Sequence, residues 1–173
     1  MQKILVVVDM QKDFIDGALG TKEAIAIVPR VKEIIESFDG KIYFTRDTHE
    51  QNYLNTQEGK NLPVPHCIKD TDGWQIEKSL QPYAKNIIDK PTFGSTSLAT
   101  ELVRENSLEE ISEITFIGLC TDICVISNAM LAKAHLTEAK IIVDASACAG
   151  VTLESHKNAL NAMKMCQIMV IND

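Results

Sequence analysis

Apolar runs alternate along this chain with segments spaced like amphipathic helices. Residues 3–8 form a nearly unbroken apolar run rich in Val and Ile, the pattern of a parallel strand covered on both faces. Residues 10–26 read as a polar, glycine-containing loop. In 28–38 the apolar positions are 28, 31, 34, 35 and 38, which is helical spacing, with Pro29 in the permissive first turn and Asp39-Gly40 as the stop. Residues 41–46 predict a second strand, and 47–82 a long irregular stretch. A third strand at 86–89 precedes a helix at 95–105, and a buried strand at 114–117 precedes a turn and a helix at 127–134. A fifth strand at 140–144 leads into a small-residue turn at 145–150, a helix at 153–165 and a last strand at 168–171.

Six strands alternating with helices predict an α/β fold built on a mainly parallel sheet. No repeat, low-complexity tract or linker interrupts the pattern, so the 173 residues read as a single domain, 1–173. A hydrophobic content of 45% is enough for a substantial core. The formal charge of −7 argues against a nucleic-acid or anionic-membrane partner. No apolar run approaches the roughly 20 residues needed to span a bilayer. Met1-Gln2-Lys3 runs straight into a strand without signal-peptide anatomy. The five cysteines, at 67, 120, 124, 148 and 166, are odd in number and scattered, a poor disulfide framework. Together these features predict a cytoplasmic protein.

Chemistry concentrates where the apolar runs end. Cys124 lies in the turn between the strand at 114–117 and the helix at 127–134, where the positive helix end favours a thiolate and backbone N–H groups are free to hold an oxyanion. Asp9, Asp47 and Lys90 also follow apolar runs. In an open parallel sheet all of these face one crevice beyond the carboxyl ends of the strands. Taken alone, Cys124 reads as a small buried hydrophobe, Asp9 as a loop cap and Lys90 as a surface lysine. Their convergence favours a nucleophile with a base, Asp9, and a cation, Lys90, beside it. Cys120 and Cys124 read less well as a metal or redox pair.

Asp47 and His49, two apart, point the same way in extended backbone. With Glu58 and His66 they offer two carboxylates and two imidazoles, a set that suits Zn²⁺, Mn²⁺ or Fe²⁺. The competing reading is solvated polar residues in a long loop. Phe14 is the candidate pocket wall, Trp74 reads as a loop anchor or a pocket wall, and His135 and His156 read as structural or surface residues without partners.

The segments 8–14 (VDMQKDF), 45–49 (TRDTH), 89–95 (DKPTFGS) and 118–125 (GLCTDICV) resemble the isochorismatase-like cysteine hydrolases, and among them the nicotinamidases. The resemblance covers nearly the whole chain in order. It implies a three-layer α/β/α fold with a six-stranded parallel sheet and a triad of Asp9, Lys90 and Cys124. It implies a cis peptide at Leu119–Cys120, with the N–H groups of Cys120 and Cys124 forming an oxyanion hole. It implies a divalent metal, zinc foremost, on Asp47, His49 and His66. Asn55 stands where many members have a further His, and Glu58 matches the variant that supplies a Glu instead. Cys120 replaces a more usual Ala, and Pro63 stands near a common Trp position. The implied activity is hydrolysis of nicotinamide to nicotinate and ammonia by a homo-oligomer. A carbamoyl compound or another small amide is the alternative substrate, and a catalytically silent binding module the alternative role.

Overall fold

A computed structural model describes residues Met1–Asp173. Its six strands are β1 (Gln2–Val8), β2 (Lys41–Asp47), β3 (Ile87–Lys90), β4 (Ile111–Leu119), β5 (Lys140–Ala149) and β6 (Met169–Ile171). They form one sheet in the order β3-β2-β1-β4-β5-β6, and every neighbouring pair is parallel. The side-chain alternation of β1 shows why its run is apolar throughout. Ile4, Val6 and Val8 pack with α4 (Thr96–Leu108), α5 (Ile126–His135) and α6 (Leu153–Met165), while Leu5 and Val7 pack with α1 (Lys12–Ile15) and α2 (Lys22–Ser37). Both faces are covered, so no position on the strand can be polar without losing its water. The chain winds one way from β1 through β3 and the other way from β4 through β6. The strand order therefore reverses between β1 and β4, and a crevice opens beyond their carboxyl ends.

Beyond small shifts at element ends and the short helix α1 inside the expected 10–26 loop, the elements differ from expectation in three places. First, α2 begins at Lys22, capped by the Thr21 side chain, so Pro29 lies inside the helix rather than in its first turn. The carbonyl that loses a donor there belongs to Ile25, which is exposed and open to water. Second, β5 continues through the expected turn to Ala149. Its pairing jumps from Phe116–Val143 to Gly118–Cys148, so residues 144–147 bulge out opposite one residue of β4. Asp144 fixes the bulge by accepting the Ser146 N–H at 3.1 Å and the Ser146 hydroxyl at 2.6 Å. Third, the 47–82 stretch is less irregular than expected. It holds helical turns at Tyr53–Asn55 and Gln81–Tyr83 and a short helix, α3 (Gln57–Asn61), which carries Glu58.

Candidate active site

The candidate residues gather at the β1–β4 reversal. Asp9 turns out of β1 with φ of +47°, a left-handed conformation that Asp adopts more readily than most residues. Its N–H donates to the Thr45 carbonyl at 3.2 Å, and its Oδ1 accepts the Thr45 hydroxyl at 2.7 Å. β2 and β3 end in register at Asp47 and Lys90, which sets the two side chains beside each other, 3.4 Å from Nζ to Oδ1. Lys90 Nζ also lies 2.7 Å from Asp9 Oδ2, 3.5 Å from Cys124 Sγ and 3.0 Å from the Thr92 carbonyl. The structure thus brings together the three residues of the expected triad, all of them buried.

Gly118 permits this approach. With φ of +116° it sits so close to β1 that a Cβ would lie 2.2 Å from the Val8 carbonyl oxygen. The chain then passes through Cys120 into a single π-helical turn, Thr121–Val125, that leads into α5. The Leu119–Cys120 peptide is cis. The Cys120 carbonyl accepts the N–H groups of Ile123 and Val125 at 3.1 and 3.0 Å, whereas the Cys120 N–H has no protein acceptor.

The charge states follow from burial and from the partners. Lys90 is held above its ordinary range: burial opposes the ammonium, but Asp9, Cys124 and Asp47 outweigh it. Burial raises Asp9, against the pull of Lys90. Cys124 departs from the expectation of a thiolate. Burial, reinforced by the Asp9 charge, pushes its thiol well above the ordinary value despite Lys90. A helix terminus carries only about half a unit charge, which two neighbouring carboxylates and complete burial overcome. Burial thus favours the Cys124 thiol over the thiolate, with the Asp9 side chain beside it.

On the other side of Asp47 stands the candidate metal group. One ligand atom each from Asp47, His49, Glu58 and His66 converge, all within 4.8 Å of one another. His49 Nε2 is 3.0 Å from Asp47 Oδ2 and 3.5 Å from Glu58 Oε1, and His66 Nε2 is 3.6 and 3.8 Å from the same two atoms. His66 Nδ1 donates to the Val64 carbonyl at 2.8 Å, which leaves Nε2 with a lone pair facing the group. Burial disfavours the Asp47 carboxylate, yet His49, His66 and Lys90 hold it below the usual range. His49 is pushed up to about 9, because Asp47 and Glu58 outweigh its burial. Two imidazoles and two carboxylates, buried and converging, fit a divalent transition metal. Asp47 is shared: Oδ1 faces Lys90 and Oδ2 faces the histidines.

A cavity of about 260 Å³ joins the two halves. Cys120 and Cys124 open into it, as do Asp47, Glu58 and His66, and Phe14, Leu62, Phe93 and Ile123 supply apolar wall. Phe14 is where the sequence puts it, its ring 5.4 Å from that of His66. Trp74 is a loop anchor: its indole N–H donates to the Thr48 hydroxyl, and the Arg46 guanidinium stacks 3.4 Å over its ring. The two histidines expected to lack partners both have one. His135 Nδ1 donates to the Leu131 carbonyl at 2.9 Å, and His156 Nδ1 lies 2.7 Å from the Thr121 hydroxyl.

Three supporting residues escape sequence reasoning. Gln11 is fully buried and clamps the Asp47 backbone, donating to its carbonyl and accepting its N–H at 2.8 and 2.7 Å. Tyr53 packs its ring 4.7 Å from His49 and 5.1 Å from His66. Asp13 accepts the Cys67 N–H at 2.8 Å and so braces the residue after His66. The only sequence signal for Gln11 is its position two residues after Asp9, and for Tyr53 its place between His49 and Glu58.

Relatives of known structure carry this architecture. A pyrazinamidase of Pyrococcus horikoshii, solved in complex with zinc, matches with a TM-score of 0.84 at 29% identity over 100% of both chains. A pyrazinamidase/nicotinamidase from Streptococcus mutans matches with a TM-score of 0.83 at 29% identity, covering 98% of this chain and 99% of that one. An uncharacterised isochorismatase family protein of Bacillus subtilis, PncA, is 30% identical over 175 residues, 93% of each chain. The family model for the isochorismatase domain matches residues 3–172, nearly the full sheet-and-helix alternation. With that match and a relative this close over most of its length, the chain belongs to the isochorismatase family.

Proposed function

We propose that this chain, acting as one hydrolase domain, is a cysteine amidohydrolase that converts nicotinamide to nicotinate and ammonia. The observation that carries the reading is the position of Lys90, within 2.7 Å of Asp9 and 3.5 Å of Cys124, beside a four-residue metal-ligand group on a shared apolar cavity. The names of the solved relatives, a pyrazinamidase with zinc and a pyrazinamidase/nicotinamidase, support the substrate class: a small uncharged aromatic amide.

Each step has a residue to perform it. Asp9 takes the Cys124 proton as sulfur attacks the amide carbon, and the former carbonyl oxygen becomes an oxyanion held by the Cys120 and Cys124 N–H groups. Lys90 keeps the Asp9 carboxylate charged before this step and balances the charge that develops during it. The tetrahedral intermediate collapses when Asp9 returns the proton to the amide nitrogen, so ammonia departs and a thioester remains. Water, deprotonated by Asp9, then attacks the thioester. Collapse of this second intermediate breaks the C–S bond, releases the carboxylic acid and returns the proton to sulfur. Asp47, His49, Glu58 and His66 would hold a divalent cation, zinc by donor set, whose Lewis acidity supplies an anchor for an aromatic ring nitrogen. Phe14 supplies a face against which the ring can pack.

The test is ammonia release from nicotinamide by the purified protein, with metal content measured on the same sample. Rapid release with about one metal per chain, abolished in Cys124→Ala and lost on chelation, is the expected result. Metal and a reactive Cys124 without ammonia release would move the assignment to another small amide or a carbamoyl compound. A Cys124 inert to alkylation at neutral pH would overturn the enzyme reading.

A further inference from the structure

The turn that carries Cys120 and Cys124 is tied on its outer side to the beginning of α6. Thr121 is fully buried, and its hydroxyl lies 2.7 Å from Nδ1 of His156 in the first turn of that helix. The next residue, Asp122, accepts the Val151 N–H on both carboxylate oxygens, at 3.1 and 3.3 Å. Gly150 closes against the same histidine, since a Cβ there would lie 2.8 Å from His156 Cβ. A reciprocal cap between Thr152 and Ser155 fixes the start of α6, so His156 stands on an ordered turn. Burial keeps its imidazole below the ordinary range and therefore neutral at pH 7. Nδ1 and the Thr121 hydroxyl share this one hydrogen bond.

The Cys120 backbone is held through its carbonyl and not through its N–H. Its carbonyl is taken up by the Ile123 and Val125 N–H groups, and its N–H has no protein acceptor. An N–H in that state serves an oxyanion only when its neighbours fix where it points. On the C-terminal side, the first side-chain tie is the Thr121–His156 bond.

We infer that His156 is a positioning residue for the oxyanion turn, acting through the Thr121 hydroxyl to aim the Cys120 N–H at the reacting carbonyl. The inference rests on the amidohydrolase reading above. Neither His156 nor Thr121 lines the cavity that Cys124 opens into, so neither touches the substrate there. Their contribution is specific to steps that build an oxyanion, and this makes it separable from a general role in stability.

The experiment compares His156→Leu, His156→Gln, Thr121→Val and the Leu/Val double variant with the parent. It uses nicotinamide hydrolysis and, separately, alkylation of Cys124 by iodoacetamide followed by peptide mapping. Alkylation forms a C–S bond and expels iodide at a saturated carbon, so it builds no oxyanion. In His156→Leu, kcat should fall roughly 10- to 100-fold, with KM and the alkylation rate within about twofold of the parent. Gln offers an amide oxygen to the Thr121 hydroxyl, so His156→Gln should recover most of the loss. Thr121→Val should match His156→Leu, and the double variant should be no worse than either, because both remove one bond. If the Leu variant fails to fold, the Val and Gln variants carry the comparison. Unchanged kcat, additive losses or alkylation falling in parallel with kcat would overturn the inference while leaving the amidohydrolase reading intact. A parent protein inert toward the amide would overturn both.

Discussion

At the scale of single residues, the chemistry turns on a thiol that is neutral at rest. Burial and Asp9 favour the protonated Cys124, so in the proposed mechanism Asp9 accepts the proton during attack. Asp9→Asn removes that base while keeping the shape. Amide hydrolysis should drop about 10²–10⁴-fold. Metal content should not change, because Asp9 is not in the ligand group. An unchanged hydrolysis rate would show that the thiol does not use Asp9. The candidates were legible as residues: Asp9, Asp47, Lys90 and Cys124 each follow an apolar run. Their ionisation was not, since a helix terminus can be read from sequence whereas depth of burial cannot.

At the scale of elements, the site depends on how closely β4 approaches β1. Gly118 sets that distance, and any side chain there meets the Val8 carbonyl oxygen in a backbone conformation that L-residues avoid. Gly118→Ala should cost about 2–4 kcal/mol in denaturant unfolding, and it should lower hydrolysis as well by moving Cys124 relative to Asp9. A variant as stable and active as the parent would show that the strands part without cost. The strands themselves were legible because apolar runs covered on both faces leave a plain signal. Element ends were less so. Residues 145–149 look like a small-residue turn in sequence, yet they belong to β5, because the bulge at Asp144 brings Cys148 and Ala149 into register with Gly118 and Leu119. Similarly, α2 tolerates Pro29 internally because the carbonyl left without a donor belongs to Ile25, an exposed residue.

At the scale of the whole molecule, part of the acid response arises away from the active-site cavity. No helix is long and apolar enough to cross a membrane. Away from the cavity, Glu105 is a buried residue of α4 itself, where it accepts from Lys41 and Tyr43 at 2.6 and 3.0 Å. Lys41 foremost holds Glu105 below the usual carboxylate range, and Arg104 foremost holds Glu101 down at about 2. Folded values below the unfolded value of about 4.3 mean that this stability is complete above that pH and is lost as pH falls toward 2. Thermal unfolding followed from pH 5 to pH 2 should therefore show a smaller decline in a Glu101→Gln/Glu105→Gln variant than in the parent. An identical decline would assign acid sensitivity elsewhere. Sequence alone determined the strand-and-helix alternation, the residues at the strand ends and four residues that could serve as metal ligands, because each rests on local pattern or on residue type. Tertiary structure decided that Asp47 serves both halves of the site, that Gln11, Tyr53 and Asp13 brace it, and that His156 reaches Thr121. Those contacts join segments far apart in the chain, and only the packed sheet, with its order reversed between β1 and β4, brings them within hydrogen-bonding distance.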